Sequence, residues 1–171
     1  GGGMLVSDDL EMLAKARFWA TQARDPAPHY QHSEIGYNYR MSNILAAIGR
    51  AQLEAIEGRI EARRRVFESY RRALGNIPGI SFMPESSYGR ANRWLTVMLV
   101  APETGITPSL IRNALDEENI DSRPIWKPMH LQPVFEKYPF FPHREGEDIS
   151  AELFEQGICL PSGSNLTEEN L

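Results

Sequence analysis

Gly36-Tyr37-Asn38-Tyr39-Arg40-Met41-Ser42-Asn43 is the stretch from which the rest of the chain is read. Two aromatics, an amide and an arginine occupy four consecutive positions, and an apolar pattern then begins. Met41, Ile44, Ile48, Ile56, Ile60, Phe67, Tyr70 and Leu74 recur mostly at three- and four-residue steps, the period of a helix with one apolar face. The Ser42 hydroxyl suits an N-cap, because it can accept from the free amides of the first turn. The positive end of the helix dipole then faces whatever lies beside Asn38 and Arg40, which suits an anion such as a phosphate. The same residues also fit an ordinary capped helix with a surface arginine and core tyrosines, and the bare pattern leaves both readings open.

The pattern predicts one helix from about Ser42 to Leu74. At 1.5 Å per residue it would be about 45 Å long, a length suited to linking two domains or lining a subunit interface. Arg63, Arg64, Arg65, Arg71 and Arg72 alternate along it with Glu54, Glu57, Glu61 and Glu68, so acid–base pairs fall three or four apart, as on a solvated face. Gly75 and Ile77-Pro78-Gly79 stop it. The texture changes there, which divides the chain into 1–41, 42–75 and 76–171.

Upstream, Met4–Ser7 reads as a short strand. Asp8 or Asp9 caps a helix from about Leu10 to Gln22, and Asp25-Pro26-Ala27-Pro28 ends it. The loop His29-Tyr30-Gln31-His32-Ser33-Glu34 holds two histidines three apart with only Glu34 as a further ligand, so a polar loop near a bound molecule is favoured over a metal site. Downstream, Ile80–Phe82 and Trp94–Val100 read as strands. Thr107-Pro108 starts a helix that ends near Asn119, and Ile120–Arg123 reads as a strand. Asp148 or Ser150 starts a short helix through Phe154, and Ile158–Leu160 is a last buried strand. This alternation predicts a small α+β domain.

The second chemical constellation is Arg123-Pro124-Ile125-Trp126-Lys127-Pro128-Met129-His130-Leu131-Gln132-Pro133. Three prolines exclude a regular helix. Arg123, Lys127, His130 and Trp126 combine positive charge with an aromatic plate, which suits a phosphorylated ligand bearing a ring, although an exposed loop pinned by a buried tryptophan fits as well.

Composition bounds the function. The chain has 171 residues and a formal net charge of −5, which argues against non-specific nucleic-acid binding. No apolar run approaches a membrane span, and no secretory pattern is present. The single cysteine, Cys159, lies in an apolar run and reads as a buried strand residue; with no disulfide framework the chain fits a reducing cytoplasm. Gly1-Gly2-Gly3 runs directly into a strand-like segment, and Thr167 caps a helix of one turn at the other end. Both ends therefore read as those of a fragment.

Taken in order, Gly1–Ser7, Gly36–Asn43, Ser122–Pro133 and Leu160–Thr167 resemble the C-terminal part of the DegT/DnrJ/EryC1/StrS family of sugar-nucleotide aminotransferases. The resemblance spans essentially the whole chain. It implies the α/β architecture of a fold type I pyridoxal 5'-phosphate enzyme: a remnant of the large cofactor domain, a linking helix and a small α+β domain. The run Trp126–Pro133 resembles the subgroup that aminates C4 of UDP-linked 4-keto-6-deoxy sugars, N-acetylated ones included, with L-glutamate as donor, for surface polysaccharides and glycans. Such enzymes are homodimers with a shared active site.

By that resemblance, Asn38 and then Arg40 meet the cofactor phosphate of the neighbouring subunit. His29, Tyr30, His32, Arg123, Trp126, Lys127 and His130 lie near the nucleotide-sugar. The family's Schiff-base lysine falls upstream of the glycine-rich start. Lys15, Lys127 and Lys137 are the only lysines, and none matches it. No catalytic residue is therefore assigned, and the fragment alone is expected to be inactive. Three alternatives remain: another keto-sugar or keto-cyclitol aminotransferase, a lysine-less dehydratase relative, or a non-catalytic binding or dimerisation module.

Overall fold

A computed structural model describes residues 3–171; Gly1 and Gly2, the start of the glycine motif, lie outside the described residues. The chain forms two compact units, 1–56 and 57–171.

In the first unit, Asp9 caps helix α1 (Leu10–Ala20) by accepting from the Met12 amide at 2.9 Å. The expected helix ran to Gln22. It stops earlier because Gln22 and Ala23 take left-handed backbone, with φ of 72° and 47°. Ala23 is fully buried and its amide donates to the Phe18 carbonyl at 2.9 Å. The Gly36 backbone packs directly on this corner: a Cβ there would lie 2.2 Å from the Ala23 nitrogen, so only glycine fits. Helix α2 (Asn43–Glu54) starts as expected, with Ser42 Oγ accepting from the Leu45 amide at 3.3 Å. The strand expected at Met4–Ser7 does not form, since no strand among the described residues pairs with it.

The expected single rod is interrupted at Ala55, and helix α3 (Ile56–Leu74) follows. Packing accounts for the difference. No residue of α2 is buried, whereas α3 buries Val66 and Phe67 and lays Tyr70 and Leu74 against the sheet of the second unit. The division between compact units falls after Ile56, at the first residue of α3.

That sheet contains β1 (Ile80–Phe82), β2 (Thr96–Val100), β3 (Arg123–Pro124) and β4 (Gly157–Leu160) in the order β1-β2-β4-β3. All its pairs are antiparallel, with Phe82 opposite Met98, Met98 opposite Ile158 and Arg123 opposite Cys159. β2 alternates, burying Thr96, Met98 and Val100, while all of β4 is buried. Met98, Val100, Ile158 and Leu160 form the core, covered by Tyr70 and Leu74 of α3 and by Ile111 and Leu115 of helix α4 (Pro108–Glu117). Thr107 caps α4 through the Leu110 amide, and Asn119 closes it at a φ of 60°. The Ile120 amide still donates to Leu115, at 2.8 Å. The strand expected from Ile120 is for that reason delayed to Arg123. Helix α5 (Ile149–Gln156), capped by Asp148, leads into β4.

Gly157, where α5 becomes β4, receives the Ile125 side chain. A Cβ there would lie 1.8 Å from Ile125 Cδ1 and 2.7 Å from the Leu153 carbonyl oxygen. The loop that follows β3 is thereby seated on the central strand. Gly157→Ala overfills this niche and is expected to lower stability by about 1–3 kcal/mol, read as a shift of the denaturant midpoint at unchanged slope.

Candidate functional site

The first group of site residues lies in the first unit. Residues 37–39 run beside the end of α1. The Tyr37 amide donates to Trp19 at 2.7 Å, Tyr39 to Ala20 at 3.0 Å, and the Gln22 amide to Tyr37 at 2.9 Å. Thr21 and Asn38 face each other across an antiparallel bridge. The Tyr37 and Tyr39 rings stack at 5.2 Å and are exposed, so they are not the core tyrosines that the plain capped-helix reading required. Backbone pairing thus fixes the segment while leaving the Asn38 amide and the Arg40 guanidinium exposed. Neither side chain has a hydrogen-bond partner among the described residues. Arg40 lines a cavity of about 600 Å³ with Leu5, Leu13, Arg17 and Met41.

Of the neighbouring loop residues, His32 is committed through one nitrogen. Its Nδ1 lies 2.9 Å from the Gln22 carbonyl and 3.2 Å from that of Ala23. Both are acceptors, so Nδ1 carries the hydrogen. Tyr30 lies under the Arg24 guanidinium, 4.4 Å from its ring centre. His29 is exposed. Glu34, the weak third metal ligand of the sequence reading, accepts from Lys15 and from Trp19 Nε1, which hold its carboxyl below the usual range.

The second group lies in the second unit. Trp126 tilts against Trp94, with ring centres 5.7 Å apart and an interplanar angle of 31°. Both rings are more than half exposed. They border a cavity of about 420 Å³, also lined by Arg123, Ser122 and Cys159. Arg123 reaches Asp121 at 3.3 Å, a pair so exposed that the guanidinium stays available to an anion. Ser122 Oγ is buried without a partner among the described residues, an unmet polar group on the same wall. Burial pushes the Cys159 thiol up, away from nucleophilic character.

Lys127 is exposed and does not line this cavity. His130 is drawn away from it. Its Nε2 lies 2.6 Å from Asp148 Oδ2 and its ring stacks on Phe140 at 3.8 Å. It ties the loop to the α5 cap. The structure therefore brings Arg123 and Trp126 together and leaves Lys127 and His130 apart from them.

The residues that fix Trp94 escaped the sequence reading. The arginines of α3 read as a solvated face, but Arg63 and Arg64 serve the loop between β1 and β2. Arg64 Nη1 and Nη2 donate to Glu85 Oε1 and Oε2 at 2.7 and 2.9 Å, and Nη1 also donates to the Ala91 carbonyl at 2.7 Å. The Ala91 amide donates to Glu85 Oε1 at 2.7 Å. Arg93, at a left-handed φ of 50°, donates to the Met83 carbonyl at 2.8 Å and lies over Phe67 at 3.8 Å. Arg63 donates to the Trp94 carbonyl. These contacts explain why β2 starts at Thr96 and not at the expected Trp94. No local periodicity marks Glu85; its signal is a lone acid among turn residues, opposite a helix rich in arginine.

The sequence profile of the DegT/DnrJ/EryC1/StrS aminotransferase family matches residues 1–171. EpsN of Bacillus subtilis, described as a putative pyridoxal phosphate-dependent aminotransferase, is 54% identical over 99% of this chain and 43% of its own length. GDP-perosamine synthase of Caulobacter vibrioides is 32% identical over 99% of this chain and 45% of its own. The fold matches PseC of Helicobacter pylori, an aminotransferase involved in the biosynthesis of pseudoaminic acid, with a TM-score of 0.77 at 20% identity, covering 96% of this chain and 44% of that one. The chain thus spans less than half the length of the relatives it matches. Among the described residues no helix is long and apolar enough to cross a membrane.

The Arg64 guanidinium, then the Ala91 amide, depress the Glu85 carboxyl from 4.5 to about 2. A group whose folded value is lowered contributes stability above its unfolded value and loses it as pH falls through the folded one. Its contribution to stability should therefore be complete above about pH 5 and fall away between about 4.5 and about 2, while the contact itself holds in the folded state until pH nears 2. Carboxyl-carbon NMR of Glu85 should titrate near the lower figure.

Proposed function

Because the chain belongs to the DegT/DnrJ/EryC1/StrS aminotransferase family, we propose that the full-length protein transfers an amino group from L-glutamate to C4 of a UDP-linked 4-keto-6-deoxy hexose, with pyridoxal 5'-phosphate as cofactor. The observation that carries this reading is the family match over residues 1–171, joined to 54% identity with a relative described as dependent on that cofactor. The assembly is a homodimer with shared sites, working in the cytoplasm on surface polysaccharide or glycan precursors. The UDP assignment rests on the run Trp126–Pro133.

When bound, pyridoxal phosphate supplies the electron sink that lets an amino group move between carbons. The residues of this chain bind and orient. Asn38 and Arg40 fit a phosphate, because their donors have no partner among the described residues, the backbone of residues 37–39 is held by α1, and Ser42 opens a helix beside them. Arg123 meets the diphosphate of the nucleotide-sugar, and the Trp126 face takes its ring. Lys127 acts as a long-range counter-charge. His130 fixes the loop through Asp148. His29, Tyr30 and His32 lie near the sugar.

GDP-perosamine synthase among the relatives makes a GDP-sugar aminotransferase the second reading. Full-length protein supplied with glutamate and UDP-, GDP- or dTDP-linked 4-keto-6-deoxy sugars separates the two. Amino-sugar formed at least tenfold faster from the UDP series is expected; preference for GDP overturns the assignment.

The shared phosphate site has its own test. Arg40→Ala is expected to weaken cofactor binding about tenfold or more, from loss of a charge-assisted contact. At a cofactor concentration low enough to leave Arg40→Ala subunits nearly idle, mixing them with inactive subunits lacking the upstream lysine should raise activity, as a site built from two subunits requires. No recovery on mixing would place Arg40 within its own subunit's site.

A further inference from the structure

Glu85 gathers more anchoring contacts than any other acid in the second unit, yet no step above uses it. It accepts from both terminal nitrogens of Arg64 and from the Ala91 amide, and the Arg93 guanidinium approaches to 3.9 Å. A surface pair on one helix needs none of this. Here the carboxylate spans from α3 to an irregular segment and draws its backbone down.

The segment so held ends at Trp94. Arg93 sits in left-handed backbone, which a side-chain-bearing residue adopts only when its surroundings impose it. Its guanidinium, one-tenth exposed, is pinned between the Met83 carbonyl and the Phe67 ring. Asn92 Oδ1 accepts from the Trp94 amide at 3.0 Å, and Arg63 takes the Trp94 carbonyl. Every anchor therefore acts on the backbone around Trp94, while the indole is 58% exposed. Core packing does not hold that ring. It stands against Trp126 at the mouth of the Arg123 cavity. An exposed aromatic held by remote charged anchors is suited to meeting a flat ligand with little loss of freedom on binding.

We propose that Glu85 is a positioning residue for ligand binding: by gathering Arg64, the Ala91 amide and Arg93 it holds Trp94 against Trp126, and that pair sets the affinity for the ring-bearing part of a nucleotide-sugar. The ligand part of this inference rests on the reading of the Arg123 cavity given above.

The test uses full-length protein and two independent readouts. The first needs no substrate: the near-ultraviolet circular-dichroism signal of the indole pair, defined as what Trp126→Phe removes. Glu85→Gln should reduce it by more than half. The second is steady-state kinetics. Glu85→Gln should raise KM for the nucleotide-sugar roughly 5- to 20-fold with kcat within about twofold, the signature of lost uniform binding. Trp94→Ala should raise KM similarly. Adding Glu85→Gln to Trp94→Ala should then change KM by less than about twofold, since both act through one ring.

Glu85→Asp, which keeps the charge, should recover most of the affinity and covers the case in which the glutamine variant fails to fold. An unchanged indole signal in Glu85→Gln overturns the positioning role. A lost signal with unchanged KM overturns the ligand role and with it the cavity assignment, while leaving the anchor in place. A double variant markedly worse than Trp94→Ala also overturns the proposal, because Glu85 would then act on more than that ring.

Discussion

The second unit depends on one four-residue strand. β4 is buried along its whole length and pairs on both edges, with β2 on one side and β3 on the other. A strand buried on both faces reads as a continuous apolar run, and Ile158-Cys159-Leu160 is such a run. Its neighbours are placed by it. Ile125 enters the niche left by the absent side chain of Gly157. Arg123 is set opposite Cys159. Just beyond the strand, Ser162 Oγ accepts from the buried Thr96 amide and donates to the Leu160 carbonyl, both at 2.7 Å. One side of the Arg123 cavity is in this way a direct product of sheet register.

The other side comes from electrostatics. The loop between β1 and β2 has few apolar residues with which to bury itself, and its backbone amides and carbonyls need partners. Arginines of α3 and the Glu85 carboxylate supply them. Charged side chains that read as solvent-facing on a helical wheel are here the means by which an irregular segment is tied down. Arg64 shows why arginine suits the task. Its planar fork meets both carboxylate oxygens and still reaches a carbonyl.

What the sequence made legible divides along the same line. Local rules predicted Ser42 and Thr107 as caps, narrowed the last cap to Asp148 or Ser150, and predicted Asn119 as a stop and the apolar strands β1, β2 and β4, because each depends on residues a few positions apart. The failures depend on distant partners. Met4–Ser7 has strand composition but nothing among the described residues to pair with. The Ser42–Leu74 pattern keeps helical period throughout, yet only its second half has a sheet to pack on. Within the site, Arg123 and Trp126 stood out by residue type. Trp94 did not, since its place beside Trp126 comes from a contact across the sheet. His130 stood out by residue type as well, and its partners Asp148 and Phe140 lie too far along the chain for local rules to find.

A chain with a net charge of −5 still contains two kinds of arginine that differ in their partners. Arg63, Arg64 and Arg93 give their donors to carbonyls and to Glu85. Each is tied to an internal partner, and Arg64 most fully, through three bonds to Glu85 and the Ala91 carbonyl. Arg40 has no such partner among the described residues, and Arg123 has only an exposed acid that water already screens. Overall charge is therefore a poor guide to anion binding in this fold. Free donor capacity on a fixed backbone is the better one, and by that measure the candidate anion contacts fall where α1 pins residues 37–39 and where β4 holds β3.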